Sequence, residues 1–426
     1  MPFDTTKTAA TQLDKNDQLA PFRQRFLIED PDLIYLDGNS LGRAPISAMD
    51  LMRDTIENAW SRRLIRSWNE GWIDLPETLG AKIAKLVGAQ PDEIIVTGST
   101  STNLFKLAAA ALRYRPGKSR IVSDVFNFPS DLYILQGLID FLGNKHALHL
   151  IPSMDGIHID SSAIDEAINQ DTALVTLSHV AFKSAFMYNM AKVTQLAHDN
   201  GALVLWDLSH AAGAVPVDLK GSNADLAVGC SYKYLNGGPG SPAFLYVRKD
   251  LQAQLMQPMW GWLGADKPFD FGLDYTPAAD ISRFKVGTPP ILSTRAVQPG
   301  VDLLLEAGIQ QLREKNVAQT EYMIALFDTW LAPLGFSLGS PRDAALRGSH
   351  VSLRHAEALR ITRALIETPP PAVRVIPDFR TPDNIRFGIT PLYTSYMDIY
   401  RAMERLREIT ENKLYEAYSA VRQKVT

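Results

Sequence analysis

Short, wholly apolar runs alternate along the chain with longer stretches whose apolar residues recur every three or four positions. The runs Glu93–Val96, Arg120–Ser123, Ala147–Ile151, Ala173–Ser178, Ala202–Asp207, Leu226–Cys230 and Ala243–Val247 lack the polar alternation of a half-exposed strand. Such runs read as strands buried on both faces. Between them, Asn103–Leu112, Ser130–Leu142, Ser161–Asn169 and Lys192–Asn200 carry the helical period. This alternation predicts an α/β fold, with an open, mostly parallel seven-stranded sheet flanked by helices. Ligands of such sheets sit beyond the carboxyl ends of the strands.

The pattern changes after Pro289-Pro290. Helical periodicity runs from about Pro299 to Trp330, and strand-like pieces follow near Val351–Arg354, Val373–Ile376 and Asn384–Phe387. A charged amphipathic helix is expected from Tyr396 to Val421. The chain thus divides into an N-terminal segment, 1–60, packing with the small domain, a large ligand-binding domain, 61–297, and a smaller α+β domain, 298–426. Gly287–Pro290 reads as a hinge or an active-site loop.

Composition narrows the function. Of 426 residues, 46% are hydrophobic and 21% charged, enough apolar material for a substantial core. Lys plus Arg number 43 and Asp plus Glu 47, a formal charge of −4 that gives no electrostatic case for nucleic acid or an anionic membrane. Cys230 is the only cysteine, which excludes an intrachain disulfide and a cysteine-held zinc or iron–sulfur centre. Met1 to Ala20 is polar, and no apolar stretch approaches the roughly 20 residues that cross a bilayer. A cytoplasmic protein is the expectation.

The chemistry concentrates at strand ends. Asp207 closes the run Leu205-Trp-Asp-Leu-Ser-His210, and Ser231-Tyr-Lys233 follows the next predicted strand, ahead of a glycine-rich stretch. An acid and a lysine so placed suit pyridoxal phosphate (PLP): the carboxylate keeps the pyridine nitrogen protonated, and the lysine forms a Schiff base with the aldehyde. Singly, each has an ordinary alternative, since a strand-end Asp caps helices and a lone Lys is usually a surface charge. Apolar runs on both sides predict partial burial, where a lysine amine serves imine chemistry. A phosphate site is findable too. Glu93-Ile-Ile-Val-Thr-Gly-Ser-Thr100-Ser101 reads as strand, hydroxyl-rich turn and helix start, and a helix N-terminus binds anions. The same hydroxyls also suit simple helix capping. Phe126-Asn-Phe128-Pro129-Ser130-Asp131 follows another strand, where an aromatic ring can stack on a planar cofactor or simply pack in the core.

Taken in order, several blocks resemble the kynureninase family. They are Tyr35-Leu-Asp-Gly-Asn39-Ser-Leu-Gly, Phe128-Pro-Ser-Asp131, Trp206-Asp-Leu-Ser-His-Ala, Cys230-Ser-Tyr-Lys-Tyr-Leu-Asn and Gly261-Trp-Leu-Gly. Phe284-Lys-Val-Gly-Thr-Pro-Pro-Ile-Leu and Asn384-Ile-Arg-Phe-Gly-Ile-Thr-Pro-Leu-Tyr complete the set. The resemblance implies a homodimeric fold-type-I PLP enzyme that hydrolyses L-kynurenine to anthranilate and L-alanine, within tryptophan catabolism or NAD biosynthesis. By motif match it makes Lys233 the Schiff-base lysine, Asp207 the partner of the ring nitrogen and Tyr232 a proton relay beside the phosphate. Thr100 and Ser101 would hold the phosphate with Tyr232, and Trp262 would reach it from the partner subunit. Phe128 would stack on the ring; Pro129, Ser130, Asp131, Ser178, His210 and Thr288 match other cofactor-site positions. Arg386 would take the substrate α-carboxylate through a bidentate pair, with Asn39, Trp68 and Thr288 also at the substrate. Animal enzymes that prefer 3-hydroxykynurenine carry His and Asn where this chain has Trp68 and Thr288, so kynurenine itself is the expected substrate. A class V aminotransferase or cysteine desulfurase on the same fold, and a non-catalytic PLP-fold protein, are the competing readings.

Overall fold

The computed structural model describes residues 4–421. A short strand β1 (Leu33–Tyr35) precedes seven strands that build the central sheet. These are β2 (Ile94–Val96), β3 (Arg120–Asp124), β4 (Ala147–Ile151), β5 (Thr172–Ser178), β6 (Leu203–Asp207), β7 (Leu226–Gly229) and β8 (Phe244–Val247). Their spatial order is β2-β8-β7-β6-β5-β3-β4. All neighbours run parallel except β8, which is antiparallel to both β2 and β7.

The apolar runs explain the burial. Successive side chains of a strand point to opposite faces, so a strand covered on both sides must be apolar throughout. In β6, Leu203 and Leu205 enter the core on one face, with Leu104, Leu107 and Ala108 of the helix Thr100–Tyr114. Val204 and Trp206 enter the core on the other, with Val297 and Val301 of the helix Ile291–Ala307. Edge strand β4 is only partly covered and leaves Ala147 exposed.

The chain after Ala307 forms a second layered unit. Strands β9 (Ser337–Leu338), β10 (His350–Arg354), β11 (Arg374–Ile376), β12 (Asp378–Arg380) and β13 (Asn384–Gly388) follow in sequence. Four of them make an antiparallel sheet in the order β12-β13-β10-β9, while β11 pairs in parallel with β1. The helices Ala358–Ile366 and Tyr396–Glu411 contribute to its core. A capping box starts the last helix: Ser395 Oγ accepts from Asp398 N, and the Asp398 carboxylate accepts from Ser395 N.

Several boundaries differ from the sequence reading. The stretch expected as one helix from Pro299 to Trp330 is two, Ile291–Ala307 and Ile309–Leu326, broken at Gly308, whose φ of 80° lies outside the helical region. The C-terminal helix ends at Glu411 rather than Val421, and Lys413 turns left-handed before a short 3₁₀ segment at Leu414–Ala417. The N-terminal segment does not pack with the smaller unit alone: Ala10, Ile34 and Leu36 join its core, whereas Leu19 and Phe26 join the large one. Hydrophobic periodicity missed the helices Lys7–Lys15, Ile46–Asp54 and Leu75–Leu86. Among the described residues, no helix is long and apolar enough to cross a membrane.

Close packing of the helix Leu75–Leu86 on β2 depends on Gly80, where an added Cβ would overlap the Ile94 carbonyl. Gly80→Ala should lower unfolding stability by about 1–3 kcal/mol, read as a lower denaturation midpoint at unchanged slope. An unchanged midpoint would show that the interface yields.

Candidate active site

Parallel register lines up the carboxyl ends of the central strands. Ser178, the last residue of β5, lies opposite Asp207, the last residue of β6, and the turn after β7 carries Tyr232 and Lys233. Asp207 is buried, and its carboxylate accepts from Ser209 N at 2.8 Å. Burial raises its proton affinity, against the hydrogen bond from Ser209 and the charge of Lys233. Asp131 is buried as well; desolvation and then the Asp207 charge push it well above the usual carboxylate range, and its Oδ2 has no hydrogen-bond partner. Lys233 Nζ lies 3.4 Å from His210 Nε2 and 5.7 Å from the centre of the Phe128 ring. Burial first, and Lys233 and Arg386 next, hold His210 neutral.

Two helix starts converge beside this cluster. Ser99 caps the helix Thr100–Tyr114, accepting from Thr102 N at 3.2 Å, and Thr100 and Ser101 form its first turn. Phe128 precedes the helix Pro129–Phe141, with Pro129, Ser130 and Asp131 in the first turn. The Ser101 and Ser130 hydroxyls are 3.0 Å apart. Hydroxyls at adjoining helix N-termini make an anion cradle.

The sequence reading missed the two residues that hold the Phe128 loop. Asn127 Oδ1 accepts from Ser178 Oγ at 2.7 Å and from Phe128 N at 2.9 Å, while Nδ2 donates to Ser123 Oγ at 3.1 Å. Asp124 accepts from Phe126 N at 2.6 Å and from the Tyr188 hydroxyl. Asn127 lies within a motif already noticed, and its polar character between two phenylalanines was the available signal; nothing local pointed to Tyr188.

On the opposite wall, β13 brings Arg386 under the loop after β1. Phe182 joins the walls, its ring 5.3 Å from that of Phe128 and its carbonyl accepting from Arg386 Nη1 at 2.5 Å. Arg386 Nη2 donates to Ser40 Oγ at 2.9 Å and to Asp378. With its amide oriented to satisfy both neighbours, Asn39 accepts from Arg386 Nε at 2.7 Å and donates to Asp37. The guanidinium fork expected to await a ligand carboxylate is therefore paired inside the protein, because an arginine buried this deeply needs a counter-charge. One Nη1 hydrogen is left over.

Three expected site residues stand apart from these contacts. Trp68 packs edge-on against Trp72 at 5.8 Å, Trp262 has Phe269 and Phe271 as its aromatic neighbours, and Thr288 is exposed on its loop. Tyr232 is near, its ring centre 5.8 Å from Lys233 Nζ, and burial raises its hydroxyl above the ordinary tyrosine range.

The residues present fit PLP. Two buried carboxylates, Asp131 and Asp207, share the neighbourhood of one lysine, and the unpartnered Asp131 Oδ2 marks an acceptor short of a donor. A protonated ring nitrogen supplies the missing positive charge, and the hydroxyl cradle suits a phosphate.

Comparison with known proteins bears on this geometry. The class V aminotransferase family model matches residues 34–352, and the kynureninase C-terminal domain model matches residues 312–406. The chain is 43% identical to a kynureninase of Pseudomonas fluorescens, covering 99% of this chain and 100% of that protein. It is also 43% identical to a kynureninase of Burkholderia mallei, with 97% of each covered. Among solved structures, a cysteine desulfurase of Thermococcus onnurineus superposes with a TM-score of 0.75 at 20% identity, over 94% of this chain and 98% of that one. A C-DES variant with glycine covalently linked to its PLP cofactor gives 0.75 at 17%, over 91% and 99%. At such identities these structures establish the fold, that of the fold-type-I PLP enzymes. The chain belongs to the kynureninase family.

Asp124 offers a test of the loop anchor. Burial pushes its carboxyl from 3.8 to about 6, against the hydrogen bond from Tyr188. The folded state therefore binds more protons than the unfolded chain between those values, and this group's contribution to stability falls as pH rises through that window. Asp124→Asn should flatten the corresponding part of the stability–pH curve measured by urea unfolding. A slope identical to that of the parent protein would contradict the assignment.

Proposed function

We propose that this member of the kynureninase family hydrolyses L-kynurenine to anthranilate and L-alanine, using PLP at the carboxyl ends of β5 and β6. One observation carries the reading: Lys233 stands 3.4 Å from a buried neutral His210, in the pocket that also holds Asp207 and Asp131. When bound, the cofactor draws electrons from the substrate α-carbon into its ring, which permits scission of the Cβ–Cγ bond.

The chain supplies attachment, alignment and protons. Lys233 would be the covalent anchor, and its amine would hold or move the substrate α-proton. Asp207 holds the proton on the ring nitrogen, because its burial strengthens the ion pair. Phe128 would lie against the cofactor ring, and Ser178 and Asn127 fix the loop that carries it. Thr100, Ser101 and Ser130 hold the phosphate, and Tyr232 passes protons beside it. Arg386 would receive the α-carboxylate, with Asn39 beside it holding the guanidinium through Nε.

Trp262 is assigned to the phosphate of the partner subunit in a homodimer. Exposed Trp260, Trp262, Phe269, Phe271 and Leu273 support that arrangement, since an apolar patch of this kind calls for a cover. Separate cores on the central sheet and on the antiparallel sheet support a large and a smaller domain, with the boundary drawn after the helix Ile291–Ala307, whose Val301 and Leu304 belong to the large core, rather than at 297. Trp68 and Thr288 stand in place of the His and Asn of enzymes that prefer the 3-hydroxy substrate, which supports preference for the unsubstituted one. A desulfurase reading needs a mobile thiolate, whereas Cys230 is buried and desolvation pushes its thiol up.

Lys233→Ala should abolish the growth of anthranilate fluorescence on addition of L-kynurenine. Asp207→Ala should lower kcat by at least about 10²-fold; a near-normal rate would refute the role given to its charge. The parent enzyme should show higher kcat/KM on L-kynurenine than on its 3-hydroxy derivative, and equal or reversed values would overturn that preference.

A further inference from the structure

His350 is completely buried, and neither of its ring nitrogens has a hydrogen-bond partner. The Lys183 backbone is close enough to influence its titration, yet not in hydrogen-bonding geometry. Buried polar atoms are almost always paired, so a doubly unpaired imidazole points to a missing ligand.

Its surroundings say which ligand. In the antiparallel pair β10 and β13, His350 lies opposite Gly388 and Ser352 opposite Arg386. Directly opposed residues share a face and residues two apart keep it, so His350 and Arg386 are diagonal neighbours on one side of the sheet. Gly388 has no side chain between them, and a Cβ there would collide with Asn39. In the other direction, the His350 and His210 rings are 5.8 Å apart, and His210 Nε2 is 3.4 Å from Lys233 Nζ. His350 thus stands between the lysine, where a substrate amine must arrive, and the arginine assigned to the carboxylate. In an α-amino acid those two groups are joined through one carbon.

Counting donors shows why a second group is needed. Arg386 has five N–H bonds, and Phe182, Ser40, Asp378 and Asn39 take four of them. Asp378 also offsets its charge. One remaining hydrogen cannot satisfy both oxygens of a carboxylate.

We propose that His350 is a substrate-binding residue that donates the second hydrogen bond to the substrate α-carboxylate, beside Arg386. Burial, with Arg386, Lys233 and Arg380 nearby, keeps the imidazole neutral, so it carries one N–H to offer. The assignment rests on the PLP and amino-acid reading above, and its test separates the two.

The test is a binding titration of the holoenzyme, read from the visible absorbance of the bound cofactor. L-Alanine and L-alaninamide are the probes; they share an amine and differ in the carboxylate. His350→Leu should weaken L-alanine about tenfold, the scale of one hydrogen bond to a charged group, and leave L-alaninamide within about twofold. His350→Gln, which keeps an N–H donor, should restore most of the loss. His350→Met, a second donor-less side chain of different shape, should repeat the Leu result and serves if the Leu variant fails to fold. Parallel losses for both probes, or an unchanged alanine affinity in both donor-less variants, would overturn the role. A parent enzyme whose spectrum ignores L-alanine would instead sink the cofactor reading, and this assignment with it.

Discussion

Two buried carboxylates, Asp131 and Asp207, lie near one half-buried lysine, and the surrounding residues serve that arrangement. Taking a carboxylate out of water is costly, so an isolated acid at either position would simply keep its proton. The structure tolerates the pair because Lys233 sits among them and because Ser209 supplies hydrogen bonds to Asp207. It also leaves the pocket short of positive charge, which a pyridine nitrogen can provide. His210 does not fill that deficit, because its burial, and then the charges of Lys233 and Arg386, hold its ring neutral.

The scaffold makes this possible by geometry rather than by special sequence. Parallel strands end at one edge, so residues far apart in the chain meet there without long loops. Asn127 and Asp124 then fix the Phe128 loop through buried hydrogen bonds to β5 and Tyr188. The N-terminal segment contributes by straddling both cores. Pairing of β1 with β11, extended by a bridge between Asp37 and Gly388, delivers Asn39 and Ser40 to Arg386.

Much of this was legible in the residues. All seven central strands read correctly; for the inner ones burial on both faces forces an apolar run, while edge strand β4 was legible from its short apolar run although it is only partly covered. Asp207 and Lys233 stood out because they interrupt that signal at strand ends. The helix break at Gly308 was harder to see, since the apolar period continues through it and only a backbone angle changes. Arg386 was noticed, but its ion pair with Asp378 depends on strand register, which no local pattern encodes. His350 escaped for the same reason, since it matters through neighbours brought by the fold, whereas Asn127 lay inside a noticed motif and was passed over.

The central claim is that one covalent anchor, Lys233, carries the cofactor in a pocket whose charge Asp207 and Asp131 set. Borohydride reduction of the holoenzyme followed by peptide mass mapping tests it most directly. The account predicts a reduced pyridoxyl phosphate group on the peptide containing Lys233 and on no other; a label on a different lysine, or none, would contradict it.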